Sequence, residues 1–176
     1  MGTLIYYKIL KGVLYIMSAK EIKTNVMRIL DKENISYNSY NYEVDEHIDG
    51  LSVAAKIGES YDKVYKTLVA KSKSDNYVFV IPVNCELDLK KAARAVGEKS
   101  IEMLHLNDLQ KTTGYIRGGC SPIGMKRSFP TVLHSDAEKS EYIIVSAGKR
   151  GVQVKLSANE LKRLINAKYY DIIKEE

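Results

Sequence analysis

Three stretches of this 176-residue chain carry residue types able to do chemistry. The densest is Gly114-Tyr-Ile-Arg-Gly-Gly-Cys-Ser-Pro-Ile-Gly-Met-Lys126, where glycine, proline, serine and positive charge crowd together. Gly118 and Gly119 free the backbone to take positive φ and to approach a ligand without a Cβ in the way, while Pro122 and Gly124 set a second turn. Backbone N–H groups left open in such a loop bind an anion or a polarised carbonyl oxygen. The same composition also makes a plain pair of surface turns. The second stretch, Val145-Ser-Ala-Gly-Lys-Arg-Gly151, leaves a strand through Ser146 and presents Lys149 and Arg150 between glycines. Alone it reads as a hairpin loop, yet two basic glycine loops in one small domain suit a polyanion brought close to the backbone. The third is Lys66, inside the β-prone run Lys63-Val-Tyr-Lys-Thr-Leu-Val-Ala70. A lysine in a strand ordinarily lies on the wet face.

Other reactive side chains are scattered. His47, His105 and His134 lie far apart, with no triad or zinc-ligand spacing around them, and read as structural or surface residues. Cys85 and Cys120 are the two cysteines, in no ligand spacing, so neither a metal nor another cofactor is expected. Cys120 is the tempting nucleophile, because loop N–H groups with Arg117 and Lys126 nearby could depress its pKa. No base accompanies it. Ser121, beside proline, reads as a turn hydrogen-bonder.

The elements that must position these groups follow from pattern. Ser18 with Glu21 has capping-box spacing and predicts a helix from Ser18 to about Asn34 through Ile22, Val26, Ile29 and Leu30. Residues 36–44 alternate tyrosine with polar residues, as a half-buried strand does, and put Tyr40 and Tyr42 on one face. A short helix over about Leu51 to Ile57 stops at Gly58. The Lys66 strand then turns at Ser74-Asp75-Asn76 into the apolar strand Tyr77 to Val83, a central hairpin. Leu87 to Val96 reads as a helix, Ser100 to Leu104 as a short strand, and Asn107 to Thr112 as a helical turn capped by Asn107. Thr131 to His134, Tyr142 to Val145 and Gln153 to Leu156 are three more strands, and a helix capped by Ser157 closes the chain. Seven or so short strands with four or five scattered helices predict an α+β fold with a mixed, curved, barrel-like sheet and flanking helices.

Length bounds this to one domain. No apolar run approaches the roughly 20 residues of a membrane span, and no P-loop or dinucleotide-binding glycine motif is present. A net charge of +5 and a pI near 9.0 lean towards an anionic partner such as RNA. Residues 1–16 make a poor signal peptide, because Lys8 and Lys11 interrupt them, and read as a leader or extension ahead of a domain over 17–176 that starts at Met17.

Tyr65-Lys66-Thr67-Leu68, the run GYIRGGCSPIGMK and the run VSAGKRG, in that order, resemble the YbaK family of bacterial aminoacyl-tRNA deacylases, relatives of the editing domain of prolyl-tRNA synthetases. The resemblance runs from about Ser18 to Ile173. It implies a cytoplasmic editing enzyme that clears cysteine mischarged on tRNA(Pro), acting in trans with prolyl-tRNA synthetase and without a metal. It assigns Lys66 as the essential lysine and the Gly118 N–H as the carbonyl binder. Tyr42, Thr67 and Ser146 fall on the aminoacyl pocket, and Ile48, Gly119 and Arg150 are expected to bind the substrate with them, the last two from the two glycine loops. Ile48 stands where relatives often carry an aromatic residue. Isoleucine at the Cys120 position of some members argues against a cysteine nucleophile there. In the reaction the family implies, the substrate's own sulfur attacks its ester carbonyl. Editing of Ala-tRNA(Pro), or non-catalytic binding of tRNA or synthetase, are the alternatives.

Overall fold

The computed structural model describes residues 5–10, 13–18 and 23–175. The first two segments, β1 (Ile5–Leu10) and β2 (Val13–Ser18), pair antiparallel, Ile5 opposite Ser18 and Leu10 opposite Val13. Ser18 therefore ends a strand and caps no helix; Glu21 lies outside the described residues. The helix α1 (Asn25–Lys32) starts later, where the Thr24 hydroxyl accepts from the Met27 N–H at 3.2 Å and Val26, Met27 and Leu30 turn inward.

After β3 (Tyr37–Asn41), the helix α2 (Gly50–Ile57) is capped by Asp49, which accepts from the Ser52 N–H at 3.0 Å, and ends at Gly58 with φ 70°. β4 (Tyr65–Lys71) and β5 (Asn76–Pro82) form the expected antiparallel hairpin, with Lys66 opposite Ile81. Asp88 caps α3 (Leu89–Ala95), and β6 (Glu102–Met103) pairs with the end of β4. Asn107 is not a cap: it lies inside α4 (Leu106–Thr113), where His105 holds the cap position without a side-chain bond. β7 (Thr131–His134), a 3₁₀ turn over Ser135–Lys139, β8 (Tyr142–Lys149), β9 (Val152–Ser157), α5 (Ala158–Leu164) and a short β10 (Lys168–Tyr170) complete the chain.

Strands β10-β7-β5-β4-β6 make one mixed sheet, parallel at β10-β7 and β7-β5, and β3-β9-β8 make an antiparallel one. Val64 bridges to Ile144 between them. The mixed sheet is thus present as two sheets joined at one point, short of a closed barrel. Their facing sides hold the main core, built around Val26, Leu30, Val80, Leu133, Val145 and Val154. Among the described residues no helix is long and apolar enough to cross a membrane.

Candidate active site

Strand alternation separates two chemistries along β8, β9 and β4. Val145 and Ala147 on β8, Val152, Val154 and Leu156 on β9, and Tyr65 and Val69 on β4 face the main core. Ser146 and Gln153, a directly opposed pair, take the other face. So does Lys66, two residues beyond Val64. On that side Val64 and Ile144 pack with Ala54 of α2 and with Val83. A cavity of about 180 Å³ opens there, lined by Ile48, Lys66, Gly118, Ser146 and Gln153 among others. That is below the roughly 300–1,000 Å³ of pockets for drug-sized ligands.

Lys66 is half-buried, not solvated as a strand lysine ordinarily is. Its Nζ donates to the Val83 carbonyl at 3.2 Å, and no carboxylate pairs with it among the described residues. Burial lowers its pKa from the ordinary lysine value, and the Cys85 and Glu86 charges act the other way. By contrast Lys56, Lys71, Lys91, Lys155 and Lys174 all hold carboxylates. Val83, which anchors Lys66, abuts Gly50 at the start of α2, where a Cβ would collide with the Val83 side chain.

The glycine loop is stapled to itself. Tyr115 Oη donates to the Ile123 carbonyl at 2.6 Å, the Ser121 hydroxyl accepts from the Ile123 N–H at 3.2 Å as expected of a turn, and Lys126 N–H reaches the Thr113 carbonyl at 3.0 Å. Within it the Gly119 N–H donates to the Ile116 carbonyl at 3.0 Å, closing a turn with Gly118 at φ 82° in its third position. A Cβ on Gly118 would stand 3.2 Å from Arg150 Nε and 3.3 Å from Ile48 Cβ. The Gly118 N–H finds no acceptor among the described residues. On the other loop, Ser146 Oγ accepts from the Gly148 N–H at 3.2 Å across the bulge in β8.

The predicted residues divide. Lys66, Gly118, Ile48, Thr67 and Ser146 line the cavity. Thr67 sits with Tyr65 on the main-core side of β4, and its hydroxyl is buried without a partner. Gly119, Arg150 and Tyr42 lie behind or beside it. Gly119's N–H is spent in the turn, Arg150 is bound to the loop, and Tyr42 pairs its backbone with Gly151 while Lys56 stands 5.9 Å from its ring. The expectation for Cys120 is reversed: burial, not the loop N–H groups, dominates and pushes its thiol up to about 12. Gln153 was not foreseen, because alternation within a strand does not reveal which polar residue meets a cavity. A larger hollow of about 690 Å³ surrounds Cys85, His134 and Asp171. Its charges satisfy one another, Lys91 with Asp171 and Lys174 with Glu86, and His134 Nε2 stands 3.2 Å from an Asp136 carboxylate oxygen.

Fold and cavity define a class: an α+β domain whose small cleft between two sheets is lined by the cations Lys66 and Arg117 and by no carboxylate. Comparison with known proteins gives the class its family. The model of the aminoacyl-tRNA editing domain matches residues 47–164. A protein of Enterococcus faecalis named "Putative Cys-tRNA(Pro)/Cys-tRNA(Cys) deacylase EbsC" is 48% identical over 156 residues, covering 88% of this chain and 95% of that protein. The chain belongs to the aminoacyl-tRNA editing-domain family, as its motifs indicated. Two solved structures share the fold. One, described as "a putative trans-editing enzyme for prolyl tRNA synthetase", has a TM-score of 0.74 at 21% identity, covering 85% of this chain and 95% of that one. The other, a hypothetical protein, has a TM-score of 0.77 at 19% identity, covering 85% and 99%.

Proposed function

We propose that the chain is a trans-editing aminoacyl-tRNA deacylase that removes cysteine from tRNA(Pro), working in the cytoplasm beside prolyl-tRNA synthetase. The observation that carries this reading is Lys66, a half-buried ammonium without a carboxylate partner among the described residues, on the wall of a small cleft it shares with Gly118. The 48% identical relative is named for Cys-tRNA(Pro) and Cys-tRNA(Cys). Cysteine and proline are close in size, so a synthetase pocket discriminates between them by only about 1–3 kcal/mol. A second site has to select on chemistry, and the thiol is what proline lacks.

The cleft's own residues favour a reaction in which the substrate supplies the nucleophile. No histidine lines it, and Cys120 is held as the thiol. The substrate sulfur attacks its ester carbonyl, the C–S bond forms, and the bond to the ribose oxygen breaks. The thiol proton passes to the leaving ribose hydroxyl, and a thiolactone departs. Lys66 positions the aminoacyl-adenosine end and supports the charge that develops, and the Gly118 N–H takes the carbonyl oxygen. Ile48, Ser146, Thr67 and Tyr42 shape the thiol's surroundings. Gly119 and Arg150 hold the loop.

The test is selectivity. Purified protein given cysteine-charged and serine-charged tRNA(Pro) should clear the first and spare the second. Equal rates on both esters would defeat the thiol's role.

A further inference from the structure

Gln153 is 5% exposed, lines the cavity, and its amide has no hydrogen-bond partner among the described residues. Among the described residues the sealed, unpaired side-chain polar atoms are the Tyr65 and Thr67 hydroxyls, whereas the Gln153 amide opens onto the cavity, where a ligand can complete its hydrogen bonds. We propose that Gln153 receives the α-amino group of the aminoacyl substrate, as the neutral acceptor of a cavity that holds no carboxylate. This rests on the deacylase reading above and adds to it a residue that reads the substrate's backbone rather than its side chain.

The charges around the cleft make the assignment. An aminoacyl ester brings a basic amine, and the charged side chains on the cavity wall are Lys66 and Arg117, both cationic. They repel an ammonium. Glu59, the carboxylate on the same face of the β3-β9-β8 sheet, is occupied by the Tyr40 and Tyr142 hydroxyls and by Lys155 at 3.3 Å. Ser146 Oγ, beside Gln153 across the strand pair, already accepts from Gly148. The Thr67 and Tyr65 hydroxyls, though unpartnered among the described residues, are sealed from a ligand in the cavity. Gln153 offers an amide carbonyl oxygen on the cavity wall with no partner among the described residues.

The experiment removes the two halves of the contact separately. Deacylation is timed for tRNA charged with cysteine and with 3-mercaptopropionate, which is cysteine without its amine, using wild type, Gln153→Leu and the unbranched Gln153→Met. The proposal expects each variant to slow the cysteinyl ester about tenfold or more, the effect of one lost hydrogen bond to a polar or charged group. The mercaptopropionyl ester should be cleaved at the wild-type rate. Slowing of both esters alike would overturn it, since a structural role or a contact to the ester carbonyl does that. An unchanged cysteinyl rate would overturn it as well. If wild type cleaves neither ester, the deacylase reading itself has failed, and the proposal falls with it. Gln153→Met keeps the test available should the branched leucine disturb β9.

Discussion

Arg150 Nε donates to the Arg117 carbonyl at 2.8 Å, so a side chain from one glycine loop fixes the backbone of the other directly beside Gly118. On the deacylase reading proposed above, Arg150 acts by positioning this loop. Arg150→Ala should lower kcat for Cys-tRNA(Pro) by roughly tenfold, the scale of one charge-assisted hydrogen bond, with KM less affected and the melting temperature nearly unchanged. Arg150→Lys should not restore kcat, because a flexible ammonium does not reproduce the guanidinium's fixed N–H direction. Steady-state kinetics on the two variants checks this.

Gly118 is held to glycine twice, by its positive φ and by its neighbours Arg150 and Ile48. Gly118→Ala should cost about 1–2 kcal/mol of stability for the left-handed backbone alone, and should displace the loop N–H. Urea unfolding and deacylation measured together should both fall.

Gly50→Ala tests the floor beneath Lys66. A Cβ there drives into the Val83 side chain, whose residue also supplies the carbonyl that Lys66 grips. Overpacking of this kind costs about 1–3 kcal/mol. The unfolding midpoint should drop, and activity should drop further than stability accounts for, because Lys66 loses its anchor.

Burial keeps the Cys120 thiol protonated and makes it a poor nucleophile. Cys120→Ala should deacylate as wild type does, and iodoacetamide at neutral pH should leave the native thiol unmodified. Its pKa also sets a pH dependence. Burial raises it to about 12 in the folded protein, above an unfolded value of about 8.5. The protonated thiol's contribution is therefore complete below about pH 8.5 and is lost as pH rises towards about 12. Tyr115, also pushed up to about 12 by burial, acts in the same direction. Thermal melts along the alkaline limb should fall more steeply for wild type than for Cys120→Ala.

Much of this was legible because it is written in local pattern. Thr131–His134 is the strand its residues spell, α2 stops at Gly58, and the glycine loop carries a turn that needs Gly118. Local spacing misled where another residue competed. Ser18 and Glu21 have the spacing of a cap, but Ser18 is drawn into a hairpin and Thr24 caps the helix instead. The Lys168–Tyr170 strand is too short to show a period, and pairs only because β7 offers an edge. At the site, Lys66 and Gly118 came from motif resemblance, whereas Gln153 and the Gly50–Val83 contact depend on elements distant in sequence. The Cys120 shift had the wrong sign because the loop's N–H groups are visible in sequence and its burial is not.

The most direct test of the account is a deacylation time course on Cys-tRNA(Pro), Ala-tRNA(Pro) and Pro-tRNA(Pro), with wild type beside Lys66→Ala. The cysteinyl ester alone should disappear, and Lys66→Ala should slow it by about a hundredfold or more, as loss of a preorganised electrostatic group does. Wild-type rates from Lys66→Ala, or clearance of the alanyl and prolyl esters as fast as the cysteinyl one, would contradict it.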